Sequence, residues 1–134
     1  MGANGVGPAG VQEAASPVTD VARVAAFVPD LLFGSNVLGA LRAAGHEAVL
    51  VGDPAIVEPD AVDVVIVDLT SDAPERIAAV AAADLGSVPK LAFYAHVEAD
   101  VRALAEEAGF AQVVPRSRMA REGASLVARL AAPG

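Results

Sequence analysis

The sequence alternates between two hydrophobic periods, and this alternation limits the fold more than any other feature. Five short apolar segments have the length and composition of buried strands: residues 21–28, 46–52, 62–69, 89–95 and 110–115. Amphipathic segments with helical spacing follow four of them: residues 35–45, 70–83, 96–109 and 117–132. Strands that alternate with helices predict a parallel sheet with right-handed crossovers.

The predicted architecture is a single α/β domain, a doubly wound five-stranded parallel sheet in a flavodoxin-like three-layer sandwich. The segment DPAIVEPDA, residues 53–61, is too short and too rich in proline for more than a helical turn. The second helix should therefore be shortened or missing. Residues 1–20 are rich in Gly, Ala, Pro and Ser and predict a flexible tail, which leaves residues 21–134 for the domain.

Composition excludes several functional classes. The formal net charge of −8 disfavours bulk binding to nucleic acid or to an anionic membrane. Without cysteine the chain has no disulfides and no thiolate chemistry. The sequence has no apolar run long enough for a membrane span, and its start lacks the features of a signal peptide, so we expect a cytoplasmic protein.

Local signals predict where helices begin. Three polar residues precede or open the helical segments and are the expected N-caps: Ser35, Asp72 and Ser117. Asp30 follows the first strand, where it would either bind a metal ion or cap the LLFGS turn. His46 is expected to face solvent in a turn at the opposite end of the sheet, and His96 to cap or pack at a helix start.

Polar side chains collect where the predicted strands end. In a doubly wound sheet the ligand crevice lies outside the carboxyl ends of the strands. The residues that the sequence places on this rim are Pro29, Asp30, Asp68, Thr70, Ser71, Tyr94, His96, Arg116 and Ser117. The rim is therefore the expected place for any chemistry or ligand binding.

Four motifs on this rim resemble the receiver domain of two-component response regulators. They are FVPD, VDVVIVDL, LAFYA and AGFAQVVPRS, and the resemblance covers about residues 22–132. It implies an acidic pair after strand one, a phosphorylated aspartate after strand three, a Ser or Thr after strand four and a lysine after strand five. Asp68 would then be the phosphoacceptor, and Asp30 with Asp68 would hold Mg²⁺.

The chain departs from that pattern at four positions. Pro29 replaces the first acid of the pair, Tyr94 the small hydroxyl residue, Arg116 the lysine and Ser117 the proline. The loss of an acid should weaken Mg²⁺ binding, and a planar guanidinium cannot copy a compact ammonium. The resemblance therefore implies a degenerate receiver in which Tyr94 and Arg116 occupy the switch positions.

Three functions follow from this interpretation. The leading hypothesis is a regulatory module, neither an enzyme nor dependent on a cofactor, that binds a protein partner or forms a homodimer through its last two helices and strand five. Its candidate anion or partner contacts are Ser117, Arg118 and Arg121, with Met119, Leu126 and Leu130 as apolar contacts or core.

Two alternatives remain open. One is a functional response regulator phosphorylated on Asp68, and the other is a flavodoxin-like domain that binds a small ligand near Ser117 and Arg118. If Asp68 is structural, it is expected to accept backbone hydrogen bonds and to pair with Arg116. Tyr94 is then expected to pack its ring at the edge of the last two helices and to expose its hydroxyl group.

Overall fold

Five parallel strands form one sheet in the computed structural model, which describes residues 21–95 and 99–132. The strands are β1 (Arg23–Phe27), β2 (Glu47–Leu50), β3 (Val64–Asp68), β4 (Lys90–Tyr94) and β5 (Gln112–Pro115). Their order across the sheet is β2-β1-β3-β4-β5, with every neighbouring pair parallel. The predicted doubly wound fold is confirmed, while the proposed tail and His96 lie outside the described residues.

Helices cover both faces of the sheet. They are α1 (Leu31–Ala43), α2 (Ala73–Ala82), α3 (Ala99–Glu107) and α4 (Arg116–Ala131). The helices α1 and α4 share one apolar core with the alternate side chains of β1 and β3, and α2 and α3 share the other. Within the described ranges, no helix combines the length and the apolarity that crossing a bilayer requires.

The connection from β2 to β3 contains two short 3-10 turns where a helix would normally stand. They are Pro54–Ile56 and Pro59–Ala61, and each has its proline in the first turn. Asp53 stabilises the first turn because its carboxylate accepts the Ala55 N–H at 2.9 Å. The expected shortening of the second helix is therefore confirmed.

The predicted starts of α1 and α4 are wrong. The helix α1 begins at Leu31, and its N-cap is Asp30, whose carboxylate accepts the Phe33 N–H at 3.1 Å. Ser35 lies inside the helix, because the cap at Asp30 starts the helix one turn earlier, with Leu31 and Leu32 exposed. The interpretation of Asp30 as a cap is thus correct.

Two further cap assignments need correction. The helix α4 begins at Arg116 with Pro115 at its N-cap, so that Ser117 is already inside the first turn and caps nothing. Asp72 does precede α2, but its backbone is left-handed, with φ 51°, and its side chain makes no capping hydrogen bond. Aspartate tolerates this conformation better than most residues, which accounts for its presence there.

His46 is buried, and its predicted exposure to solvent is wrong. Only 5% of its surface is accessible, although it does lie at the end of the sheet opposite the rim. Its Nδ1 accepts the Ala22 N–H at 3.0 Å, so the proton of the neutral ring lies on Nε2, which is 3.3 Å from the Ala124 oxygen. The imidazole therefore connects the residue before β1 to α4. Both ring nitrogens have a hydrogen-bond partner, so the ring can be buried without an unsatisfied polar atom.

Candidate functional site

Asp68 ends the central strand β3 with its carboxylate enclosed. The residue is 2% exposed, although it stands at the rim where a ligand site was expected. Its Oδ1 accepts two hydrogen bonds from Thr70, from the N–H at 2.8 Å and from the hydroxyl at 2.6 Å. This is an Asx turn, in which an aspartate satisfies the backbone two residues further on. The carboxylate therefore shapes the turn out of β3.

Arg76 supplies the positive charge beside this carboxylate. It lies in the first half of α2, and its Nη1 donates to the Asp68 carbonyl oxygen at 3.0 Å. The same nitrogen is 3.6 Å from Asp68 Oδ2, and the arginine side chain is only 14% exposed. The expected pairing of Asp68 with Arg116 is therefore wrong, because the arginine beside the carboxylate is Arg76 of α2, while Arg116 pairs with Asp30.

Arg116 instead lies beside the first turn of α1. Its Nη2 is 3.7 Å from Asp30 Oδ2, and both side chains are about half exposed. Its guanidinium stacks 4.4 Å above the centre of the Phe33 ring, which in turn packs against Phe93 with the ring centres 5.0 Å apart. Arg116 thus joins α4 to α1 through a cation–π contact and an ion pair.

Tyr94 is buried, which corrects the expectation that it exposes its hydroxyl group beside the last two helices. The residue is 6% exposed and packs with Val101 and Ala105 of α3. The pKa of Arg102 is raised, first by its hydrogen bond to Glu106 and to a lesser degree by the nearby Tyr94 hydroxyl. The ring is therefore part of the core between β4 and α3.

The remaining predicted contacts lie at the start of α4. Ser117 is exposed and lines an open cleft of about 450 Å³ together with Phe33, Ala95, Arg116 and Ala120. Arg118 and Arg121 lie outside that cleft lining, and both pair with Glu122, at 3.3 Å and 3.6 Å. Ser117 therefore lines the cleft, whereas the neighbouring Arg118 and Arg121 form ion pairs within α4.

The residues at the rim do not fit the Mg²⁺ site that the resemblance implies. Magnesium prefers an octahedral set of oxygen ligands. Here Asp68 is occupied by Thr70 and Arg76, while Asp30 caps α1 and pairs with Arg116. Among the described residues, no group of three or more carboxylate or imidazole side chains is arranged to hold a metal ion.

Arg76 is the site residue that sequence reasoning missed. It lies in the segment APERIAAV, where it reads as one solvent-facing position of an amphipathic helix. One signal was available, because Arg76 lies in the helix that directly follows the Asp68 turn. A residue in the first turns of such a helix can reach back to the strand end.

Solved structures provide the comparison for this geometry. The non-phosphorylated HemR receiver domain from Leptospira biflexa matches with a TM-score of 0.67 and 18% identity, over 84% of this chain and 95% of that one. The receiver domain of a sensor histidine kinase from Pseudomonas aeruginosa, with magnesium in its active-site cleft, matches with a TM-score of 0.66 and 17% identity, over 83% and 98%.

A third match is the phosphorylated phytochrome response regulator RcpA from a cyanobacterium. Its TM-score is 0.60 at 15% identity, over 82% of this chain and 91% of that one. The chain has the receiver fold. No family model and no curated protein matches the sequence, so the receiver likeness is one of architecture.

Proposed function

We propose that this receiver-fold chain is a degenerate receiver, a regulatory module of two-component signalling that binds a protein partner and accepts no phosphoryl group. The observation that carries the proposal is the state of Asp68, whose carboxylate is 2% exposed and already held by Thr70 and Arg76. In this account the chain is not an enzyme and needs no cofactor.

Phosphoryl transfer to Asp68 would need an oxygen that is open to in-line attack and a cation that bridges the donor. Asp68 Oδ1 accepts two hydrogen bonds and Oδ2 faces a guanidinium, so neither oxygen points into open solvent. The magnesium of the Pseudomonas receiver domain belongs to that protein. Asp30, the second acid on this rim, is engaged elsewhere by Phe33 and Arg116.

The partner surface that we propose consists of α3, β5 and α4. The strand β5 is an edge strand, and both helices contact it. Leu104 is 43% exposed on α3, and Arg121 and Arg129 are exposed on α4. Met119 and Leu126 belong to the core and drop out as contacts, because each is nearly inaccessible. The surface is thus mainly polar with one apolar anchor.

The excluded partners follow from charge. Seventeen acidic residues against nine basic ones give a field that repels phosphate backbones. We therefore propose that the protein binds neither nucleic acid nor membranes. Separately, we propose a cytoplasmic location, because the sequence has no apolar run long enough for a membrane span.

Intact mass spectrometry tests the proposal. The protein is incubated with Mg²⁺ and a small-molecule phosphodonor, and Asp68→Asn is treated in parallel. We expect no added phosphoryl group on either protein, because the Asp68 carboxylate is enclosed. A receiver domain of known activity, treated in the same way, verifies that the donor works.

One phosphoryl group on the parent protein, absent from Asp68→Asn, would overturn the proposal and establish a working phosphoacceptor.

Sedimentation velocity of the same samples then tests whether the partner is a second copy of this chain. Association that depends on concentration and is weakened by Leu104→Asp would identify a second copy as the partner. A monomer at every concentration would assign the surface to a different protein.

A further inference from the structure

The Arg76 guanidinium lies against two oxygen atoms of Asp68. Nη1 lies 3.0 Å from the main-chain oxygen of Asp68 and 3.6 Å from Asp68 Oδ2. One nitrogen therefore bridges a carbonyl and a carboxylate oxygen of the same residue. Two such oxygens are ligands that a small hard cation would also take up.

The surroundings make this positive charge necessary. A carboxylate that is 2% exposed is strongly disfavoured as an anion unless a cation and hydrogen bonds compensate it. Thr70 supplies the hydrogen bonds to Oδ1, and Arg76 supplies the charge at Oδ2. Because an arginine stays protonated at any physiological pH, the compensation is permanent.

The position of Arg76 is fixed by backbone structure. Its N–H donates to the Asp72 carbonyl at 2.9 Å, within the first turn of α2. Its side chain then returns over the turn between β3 and α2 to reach Asp68. The guanidinium consequently ties the end of β3 to α2, and both side chains of the pair are largely buried.

We infer that Arg76 is a resident cation that takes the place of a divalent metal ion beside Asp68 and excludes such an ion from the site. The inference deepens the proposed function and rests on it. With a permanent cation in the site, no metal ion or phosphoryl group binds there to change its charge, so the site cannot act as a switch. Arg76 acts as a positioning residue that holds Asp68 and its turn in one state.

Paramagnetic broadening by Mn²⁺ in two-dimensional amide NMR spectra tests this inference on the full chain. The reporters are the amides of Leu69, Thr70 and Ser71, next to the carboxylate. We expect no selective broadening of these amides in the parent protein. In Arg76→Ala we expect selective broadening. Mn²⁺ should bind on the order of tenfold tighter than in the parent, because a positive charge that repels the ion at contact distance has been removed.

Matched variants separate the site from general charge effects. Arg102→Ala removes an arginine from an exposed ion pair with Glu106 and changes the net charge equally, so it should not broaden the reporters. Arg76→Lys keeps the charge and should still exclude Mn²⁺. Arg76→Gln is the second neutral variant if Arg76→Ala does not give a folded spectrum, and it should admit the ion.

Two results would overturn the inference. Selective broadening in the parent would overturn it, because a metal would then share the site with Arg76. Equal behaviour of the parent and of the neutral Arg76 variants would overturn it as well, because Arg76 would not be what excludes the ion. A phosphoryl group detected by mass spectrometry refutes the proposed function instead, so the two failures are distinguishable.

Discussion

Two aspartates flank the third strand, and their environments are opposite. Asp68 ends β3 as a buried carboxylate that faces Arg76. Asp63 precedes β3 and is one-third exposed, with Arg23 donating to it from Nε and Nη2 at 3.1 Å each and from its backbone N–H at 2.8 Å. The same residue type therefore fixes a turn at one end of the strand and an ion pair at the other.

The Arg23–Asp63 pair predicts a dependence of stability on pH. The hydrogen bond from the Arg23 side chain lowers the pKa of Asp63. A carboxyl group with a lowered folded pKa stabilises the protein above its unfolded pKa of about 3.9, and this contribution is lost as the pH falls through the folded value. The difference in unfolding free energy between the parent and Asp63→Asn should be constant above about pH 5 and shrink below about pH 4.

Urea unfolding at a series of pH values measures this difference. Glu107→Gln removes an exposed carboxylate at the end of α3 and serves as the control. A difference for Asp63→Asn that stays constant down to the lowest pH would show that the pair contributes nothing through ionisation.

At the residue scale the sequence predicted positions better than partners. The place of Asp68 at the exit of β3 follows from the strand pattern alone. Its partner does not, because Arg76 and Arg116 both emerge near this rim and only the phase of each helix decides which one reaches the carboxylate. The predicted exposure of His46 is wrong for a similar reason, since its two hydrogen-bond partners are distant in sequence.

At the element scale, the start of α1 is the feature that most affects the site. Asp30 uses Oδ1 to cap the helix and Oδ2 to face Arg116. An acid that the resemblance assigned to metal binding thus has a complete structural role. The exposed Leu31 and Leu32, 73% and 77% accessible, lie on the turn that this cap begins.

Substitution of this cap gives a measurable prediction. Asp30→Ala should lower the free energy of unfolding by about 1 kcal/mol, because the Phe33 N–H loses its acceptor. Asp30→Ser keeps a capping oxygen without the charge and should remain within about 0.5 kcal/mol of the parent. Urea unfolding of both variants separates the cap from the ion pair with Arg116.

Ser35→Ala is the matched control, because Ser35 was the cap that the sequence predicted and lies inside α1. Its effect should stay within about 0.5 kcal/mol. A loss for Ser35→Ala as large as that for Asp30→Ala would contradict the observed start of the helix.

The elements themselves were largely predictable, and their ends were not. Hydrophobic period and proline content identified five strands, four helices and the reduced β2–β3 connection. The predicted starts of α1 and α4 are wrong because Ser35 and Ser117 are plausible caps by residue type alone. Whether either one caps a helix depends on where the preceding strand ends, and the sequence does not define that point. Helix boundaries depend on tertiary context in this way.

At the scale of the whole molecule, both ends of the sheet are fastened by polar contacts between separate elements. The rim joins α2 to β3 through Arg76 and α4 to α1 through Arg116. The opposite end joins β1 to α4 through His46 and β1 to β3 through Arg23. The regulatory module that we propose, with a single state, requires such contacts between elements at both ends of the sheet.

In our proposal, Arg76 stays beside the Asp68 carboxylate and thereby excludes both a divalent metal ion and a phosphoryl donor. A double-mutant cycle on the free energy of unfolding, with Asp68→Asn, Arg76→Gln and the double variant, tests it most directly. We predict a coupling of about 1–3 kcal/mol, because each single change leaves a buried partner uncompensated. The exposed pair Arg102–Glu106, treated in the same way, should couple by no more than about 0.5 kcal/mol. Additivity of Asp68→Asn and Arg76→Gln to within about 0.5 kcal/mol would contradict the account.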